Sequence, residues 1–129
     1  MAAQIRTHYD LEVFQLAVDA TNRIFDLSKD FPMEERYSLT DQIRRSSRSV
    51  AVNIAEAWRK RRYRAAFIRQ LNIGEAEAAE TQVWLDFCQD CNYLESEQVN
   101  ELKKVYDQMI GKIVMMIRNP DPWILKNVE

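Results

Sequence analysis

The spacing of apolar residues divides the chain into four long segments. Within each segment, apolar side chains return every three or four residues, which is the period of one face of an α-helix. The segments cover about residues 11–29, 39–60, 64–91 and 96–118. Only two Gly and three Pro occur, so the chain has little material for the many turns of a β fold. The pattern therefore predicts four helices.

Short connections between the segments predict how the helices are arranged. Helices joined by short turns pack as antiparallel neighbours, so we expect an all-α fold, an up-down-up-down four-helix bundle. A length of 129 residues fits one domain over residues 1–129, with a short tail over residues 119–129. Ser38 and Asp41 have the spacing of a capping box, which predicts the start of the second helix.

The third helix has more apolar surface than one helix of a bundle needs. Its first stripe contains Phe67, Leu71, Gly74, Ala78, Thr81, Leu85 and Cys88. Its second stripe contains Ile73, Ala76, Val83, Trp84, Phe87 and Cys91. The first helix adds Phe14, Val18 and Phe25 on a neighbouring face. Surplus apolar surface is typical of a protein interface, so it predicts self-association. The alternative is a third helix packed centrally between two neighbours.

Charge is segregated along the chain, although the formal net charge is only -2. Residues 44–69 contain nine Lys or Arg and one acid, Glu56. Residues 70–101 contain eight acids and neither Lys nor Arg. This segregation predicts one face that attracts an anion such as nucleic acid.

Six basic residues of the second helix and the following turn are the candidate nucleic-acid-binding residues. They are Arg44, Arg48, Arg59, Lys60, Arg61 and Arg62. The planar fork of an arginine side chain suits phosphate oxygens, so the group is interpreted as a strip that contacts phosphates. In the alternative interpretation, these side chains form a solvated face that pairs with the acidic half of the third helix or of a neighbouring subunit.

A second face of the same helix is polar and lies beside the apolar stripe. Its residues are Gln42, Arg45, Ser49, Asn53 and Glu56. Side chains in this position are partly buried, and buried polar groups need partners. We expect a structural polar network in which Arg45 is the ionic anchor, with Ser49 and Asn53 bridging toward Glu56. The alternative is a ligand or RNA site.

Catalytic and metal-binding residues are scarce, so we expect no enzyme, no metal and no cofactor. His8 is the only histidine and lies in an N-terminal segment that we expect to be frayed. Cys88 and Cys91 have a metal-like spacing, but a tetrahedral zinc site needs four ligands. Both thiols fall in apolar stripes of the third helix, so we interpret them as core residues.

The sequence also predicts a cytoplasmic location. The first ten residues contain no apolar leader segment. The longest strictly apolar run, residues 113–117, is far too short to span a membrane. Two cysteines without an export signal are typical of reduced thiols in the cytoplasm.

Several motifs resemble one protein family. They are Asp10-Leu11 with Val13-Phe14-Gln15, Phe31-Pro32 with Glu35, Leu39-Thr40-Asp41-Gln42-Ile43-Arg44-Arg45, Ser49-Val50 and Asn53-Ile54-Ala55-Glu56. The pattern continues through Phe67, Leu71 and Glu80 to Tyr93-Leu94. This part of the chain, about residues 10–94, resembles the four-helix-bundle proteins encoded in intervening sequences of bacterial 23S ribosomal RNA genes.

The resemblance implies an antiparallel four-helix bundle that forms a ring-like homopentamer. A related branch, the accessory variability determinant of diversity-generating retroelements, forms a basic pentameric barrel that binds nucleic acid and a reverse transcriptase. Most intervening-sequence members have no established biochemical activity. This chain departs from the family where it has Ala57 instead of the usual Gly, and Ala76-Glu77 instead of a Gly-Ser pair.

Taken together, these features predict a non-enzymatic, oligomeric nucleic-acid-binding or RNA-associated adaptor. The alternative is a protein-interaction scaffold, for example for a reverse transcriptase, in which the arginines serve only assembly.

Overall fold

The structure is a computed structural model that describes residues 4–126. Its four long helices are α1 (Glu12–Ser28), α2 (Leu39–Arg59), α3 (Arg64–Asp90) and α4 (Ser96–Arg118). Two 3-10 helices, His8–Asp10 and Met33–Glu35, precede α1 and α2. The described residues contain no β-strand. The all-α fold with four helices is therefore as the sequence predicts.

The four helices form a bundle in which each helix packs against two others. α2 packs against α1 and α3, and α4 packs against α3 and α1. The predicted apolar stripes supply the core between the helices, with Ile43, Ile54, Leu71 and Leu102 fully buried. Tyr106 is also fully buried, and burial raises the pKa of its hydroxyl. The helices are held mainly by burial of these apolar faces.

Paired hydroxyl groups cross the core on both sides of α2. Ser47 Oγ lies 2.7 Å from Thr21 Oγ1 on α1. Its neighbour Ser46 has its Oγ 2.8 Å from Thr81 Oγ1 on α3. All four residues are buried, so each pair satisfies polar groups that would otherwise be costly inside the bundle. Ser47 thus connects α2 to α1, and the adjacent Ser46 connects α2 to α3.

The second apolar stripe of α3 remains largely outside the bundle. Side chains of Ile73, Val83 and Phe87 are 41%, 50% and 47% exposed. α3 has two helical neighbours, as every other helix does, so central packing within one subunit does not cover this stripe. Cys91, which we expected in the core, is also exposed, because α3 ends at Asp90 and Cys91 begins the turn.

The segment after α4 returns to the turn between α2 and α3. The backbone N–H of Leu125 donates to the carbonyl of Arg61 at 3.2 Å. Asp121 accepts a hydrogen bond from Arg64 and forms an ion pair with it. Trp123 packs partly buried against the core. The tail therefore supports the basic turn from one side.

Candidate nucleic-acid interface

The candidate site is the exposed face of α2. Arg48 and Arg59 are 11 residues apart, so they differ by only about 20° around the helix axis and lie about 16 Å apart along it. Both side chains are exposed, as is that of Val52 between them. One side of this face borders α1 and the other borders α3. Its basic residues have different surroundings at its two ends.

At the α1 border, two of the predicted arginines lie against an aromatic ring. The guanidinium carbons of Arg44 and Arg48 lie 4.6 and 5.2 Å from the centre of the Phe25 ring. Lys29 Nζ lies 5.1 Å from the same centre. Sequence reasoning missed Phe25 and Lys29 as site residues. Phe25 of α1 and Lys29, which directly follows α1 with helical backbone angles, are four residues apart and share one face. Only the packing of α1 against α2 brings that face to the arginines.

At the turn between α2 and α3, two predicted residues are engaged in contacts within the subunit. Lys60 Nζ donates to Gln70 Oε1 at 2.9 Å. The guanidinium of Arg61 lies 3.7 Å from the centre of the Trp58 ring and donates to the Trp58 carbonyl at 2.9 Å. Burial, and secondly the charge of Arg59, lowers the pKa of Arg61. Arg59 and Arg62 remain exposed and available at this end.

The four available arginines are not neutralised by acids of the same subunit. Within residues 4–126, none of Arg44, Arg48, Arg59 and Arg62 forms an ion pair. On α3, Asp86 pairs instead with Lys103 of α4 at 2.7 Å. Pairing with the acidic half of α3 inside one subunit is therefore not seen in the part of the chain that the structure describes.

The predicted polar network is present in part, at the α3 border of α2. Asn53 Nδ2 donates to the carbonyl and the hydroxyl of Ser49 at 2.8 and 2.9 Å. Gln70 Nε2, from α3, donates to Asn53 Oδ1 at 2.5 Å and to Glu56 Oε2 at 2.8 Å. Asn53 and Gln70 are 8% and 7% exposed. The network joins α2 to α3, with Gln70 at its centre.

Arg45 and Gln42 do not belong to this network. The Arg45 side chain is 75% exposed and only approaches Asp41, at 3.9 Å. Gln42 is exposed as well. At this level of α2, the side chain that faces α3 is Ser46, which is paired with Thr81 inside the bundle. The predicted ionic anchor is therefore replaced by a neutral amide from the next helix.

An acidic residue of α3 lies next to the same network. Glu77 of α3 is half-buried. Burial raises the pKa of Glu77, the nearby Glu80 raises it further, and the hydrogen bond from Ser49 opposes both effects. This carboxylate makes the α2–α3 border less attractive to phosphate.

The remaining chemically active side chains lie apart from this face. His8 is in a 3-10 helix, with its ring 4.0 Å from Tyr9 and 5.0 Å from Phe14, so the expected fraying is wrong. Burial raises the pKa of the Cys88 thiol to about 12, which makes it a poor nucleophile. Within residues 4–126, no group of three or more His, Cys, Asp or Glu is placed to hold a metal ion.

Comparison with known proteins decides the family. The sequence model described as 23S rRNA-intervening sequence protein matches residues 9–115. The chain belongs to the 23S rRNA-intervening sequence protein family. The resemblance predicted from the motifs is confirmed. No curated protein matches the chain.

A solved structure is similar to this member of the 23S rRNA-intervening sequence protein family. It is the crystal structure of a protein with unknown function from the S23 ribosomal protein family, from Bacteroides thetaiotaomicron VPI-5482. The two chains are 30% identical, with a TM-score of 0.75, over 83% of this chain and 96% of the other. The relative thus supports the family and the fold, and its own function is unknown.

The structure shows where the two departures from the usual family motif lie. Ala57 is fully buried, and α2 continues through it to Arg59. Ala76 is exposed on α3, beside the half-buried Glu77.

In the described part of the chain, no helix is long and apolar enough to cross a membrane.

Proposed function

We propose that this protein is a non-enzymatic nucleic-acid-binding or RNA-associated adaptor that acts through the exposed face of α2. One observation carries the proposal. Arg44, Arg48, Arg59 and Arg62 lie on or next to this face without an ion-pair partner in residues 4–126. Arginines left unneutralised along one helix form an electrostatic footprint for a polyanion.

Binding of this kind is made mainly through phosphates. Arginine side chains donate to phosphate oxygens in pairs, and each neutralised phosphate releases counterions. Such contacts carry no base information, so the protein binds with little sequence preference. Affinity then depends strongly on salt.

Self-association completes the proposal. In the proposed assembly, the bundle is antiparallel, with an up-down-up-down order, and forms a ring-like homo-oligomer, with a pentamer favoured, in the cytoplasm. The exposed stripe of Ile73, Val83 and Phe87 supports an interface. A ring presents the basic face several times, and this multivalency raises avidity by roughly 10²–10⁴-fold where the geometry permits.

A second candidate function is a scaffold for protein partners, for example a reverse transcriptase. The same α3 stripe favours it, since exposed Val83 and Phe87 suit a protein partner as well as another subunit. In this case the arginines serve only assembly, and removing them changes the mass of the particle instead of its affinity for RNA.

Fluorescence anisotropy with a labelled single-stranded RNA of mixed sequence tests the proposal. Measurements at about 50 mM and about 200 mM salt give the dependence of affinity on salt. We expect the double variant Arg59→Glu/Arg62→Glu to lose most binding at the lower salt. Lys104→Glu/Arg118→Glu, which changes the same charge on exposed positions of α4, is the matched control. Absence of binding by the unmodified protein at about 50 mM salt would reject the nucleic-acid function.

A further inference from the structure

Three cations converge on the ring of Phe25, at the border between α1 and α2. Arg44, Arg48 and Lys29 lie 4.6, 5.2 and 5.1 Å from the ring centre. We call Phe25, Lys29, Arg44 and Arg48 the Phe25 cluster. The ring is half-buried and lies on α1 at the border where α1 packs against α2.

The charge of the two arginines in this cluster is not compensated by an ion pair in residues 4–126. Arg44 and Arg48 are four residues apart on α2, and like charges at this spacing repel. Lys29 has a partner in Asp26 at 3.4 Å, but within residues 4–126 neither arginine forms an ion pair. The face of an aromatic ring attracts cations, which offsets part of the repulsion. An anion bound between the two guanidinium groups would offset the remaining repulsion.

The Arg44 side chain is held ready for such an anion. Its Nε donates to Ser28 Oγ at 2.7 Å, and Ser28 Oγ donates in turn to the Phe25 carbonyl at 2.8 Å. Ser28 is only 2% exposed, so this anchor is fixed by the core. A guanidinium has five N–H donors, and Arg44 uses only one of them in its hydrogen bond to Ser28. The outer edge of the guanidinium is therefore oriented with its donors available.

We propose that the Phe25 cluster binds a phosphodiester group of a nucleic-acid backbone, with Phe25 acting as a positioning residue for the two guanidiniums. The inference rests on the proposed function and gives it a defined contact point. A polyanion suits the cluster better than a single anion does. Arg59 continues the same exposed face about 16 Å further along α2, so one extended backbone reaches both.

Four variants test the cluster in the same RNA-binding assay. We expect Arg44→Gln/Arg48→Gln to weaken binding and to lower the salt slope by about 1 for each phosphate that is no longer neutralised. Phe25→Leu retains every charge, yet we expect it to weaken binding several-fold, because the guanidiniums lose the ring that orients them. Phe25→Tyr keeps an aromatic ring at this position, so we expect it to bind RNA as the unmodified protein does. Phe14→Leu is the matched control, because Phe14 is another half-buried aromatic residue of α1 and, within residues 4–126, no Lys or Arg lies over its ring.

The outcomes separate the inference from the function on which it rests. If Phe25→Leu binds RNA like the unmodified protein, the Phe25 cluster is not the contact point, while binding through Arg59 and Arg62 still stands. If the cluster variants change only the particle mass in light scattering, it holds a neighbouring subunit, and the inference is wrong. If the unmodified protein binds no RNA, both fail. Should Phe25→Leu unfold, the arginine variants and Phe25→Tyr still decide the question.

Discussion

Gln70 is bonded to three side chains at the contact between α2 and α3. Its amide nitrogen donates to Asn53 and Glu56, and its amide oxygen accepts from Lys60. A side chain that is 7% exposed would be costly without these partners. Because every member of the network bonds with another, the group fixes the position of α3 against α2.

The first prediction concerns this network. We expect Asn53→Ala and Gln70→Ala each to lower the free energy of unfolding by about 1–3 kcal/mol, because each leaves buried polar groups without partners. Arg45→Ala should change it by no more than ~0.5 kcal/mol, since that side chain is exposed. Chemical denaturation of the three variants measures the differences. Equal midpoints for all three would show that the network contributes nothing to stability.

Three of the five residues that the sequence predicts for this network belong to it. The spacing of Ser49, Asn53 and Glu56 puts them on one face of a helix, whatever the helix packs against. Which residue completes the network depends on the rotation and register of α3, and periodicity does not determine either. The assignment of Arg45 to the network was wrong for a related reason, because the burial of a residue beside the apolar stripe depends on how α3 packs there, and Arg45 is 75% exposed.

Glu35 connects the start of α2 to the turn before α4. Its Oε1 accepts from Ser38 Oγ at 2.6 Å, and its Oε2 accepts from the Tyr93 hydroxyl at 2.8 Å. Ser38 thus donates its hydroxyl to Glu35 and makes no side-chain capping bond, so the predicted capping box with Asp41 is wrong. The hydrogen bond from Ser38, followed by that from Tyr93, lowers the pKa of Glu35.

The second prediction is the dependence of Tyr93 on Glu35. The hydrogen bond to Glu35 is the main cause that raises the pKa of Tyr93 to about 12. Because the folded value is raised, the stability from this contact is complete below the ordinary value of about 10 and is lost as pH rises toward the folded value. We expect Glu35→Gln to return the Tyr93 pKa toward about 10, measured by NMR titration of labelled tyrosine.

Glu34→Gln is the matched control for this titration. Glu34 is the weakest of the charges that raise the pKa of Tyr93, so its removal should leave that pKa nearly unchanged. At the acidic side, the lowered pKa of Glu35 means that its stabilising contacts are present above the ordinary carboxyl range and disappear as pH falls through the folded value. An unchanged Tyr93 titration in Glu35→Gln would show that the contact is absent in solution.

At the scale of elements, the helices follow closely from the sequence. Predicted and observed ends differ by no more than one residue, and α4 has the predicted range Ser96–Arg118. Apolar periodicity suffices because each helix needs one buried face. The basic strip is different. Lys60 and Arg61 are basic like their neighbours, yet Lys60 donates to Gln70 and Arg61 lies over the Trp58 ring. The contacts of a long flexible side chain depend on the residues that the fold brings next to it, and sequence spacing alone does not show these.

The third prediction concerns the two glycines inside helices. In the part of the chain that the structure describes, a Cβ added at Gly111 in α4 has no heavy atom within 4 Å besides its chain neighbours and the backbone of its own helix. Because Gly costs a helix interior roughly 0.5–1 kcal/mol relative to Ala, we expect Gly111→Ala to raise the free energy of unfolding by about that amount. Thermal or chemical denaturation measures it.

Gly74→Ala in α3 is the comparison. There the added Cβ lies 3.5 Å from Asn53 Cβ and 3.9 Å from the Val50 carbonyl oxygen. These are ordinary contacts, so the gain in helix propensity remains, but the new methyl group touches the network residue Asn53. We expect a smaller gain than for Gly111→Ala. A loss of stability in Gly111→Ala would mean that the open space at α4 is filled by a partner.

At the scale of the whole molecule, two surfaces stand out in the part of the chain that the structure describes. One is the row of arginines on α2, and the other is the exposed stripe of Ile73, Val83 and Phe87 on α3. The sequence indicated both, because charge segregation and a second apolar stripe are visible without coordinates. Any partner of these surfaces lies outside the chain, so neither helix periodicity nor the packing of one chain identifies it.

The fourth prediction tests the α3 stripe as the surface between subunits. We expect multi-angle light scattering at micromolar concentration to give the mass of a homo-oligomer, most consistent with five chains. Val83→Lys/Phe87→Lys should reduce the mass to that of a single chain, because charges placed in an apolar interface are desolvated without partners. Both side chains are about half exposed in one subunit, at 50% and 47%, so the fold itself should tolerate the change.

Val52→Lys provides the control, since this valine is 54% exposed on α2 and lies outside the stripe. Its mass should equal that of the unmodified protein, and its circular dichroism melt should resemble that of the double variant. A single-chain mass for the unmodified protein would remove the ring and the avidity that depends on it. An oligomer that survives Val83→Lys/Phe87→Lys would instead place the subunit contact elsewhere and leave the α3 stripe free for a different protein, as the scaffold function requires.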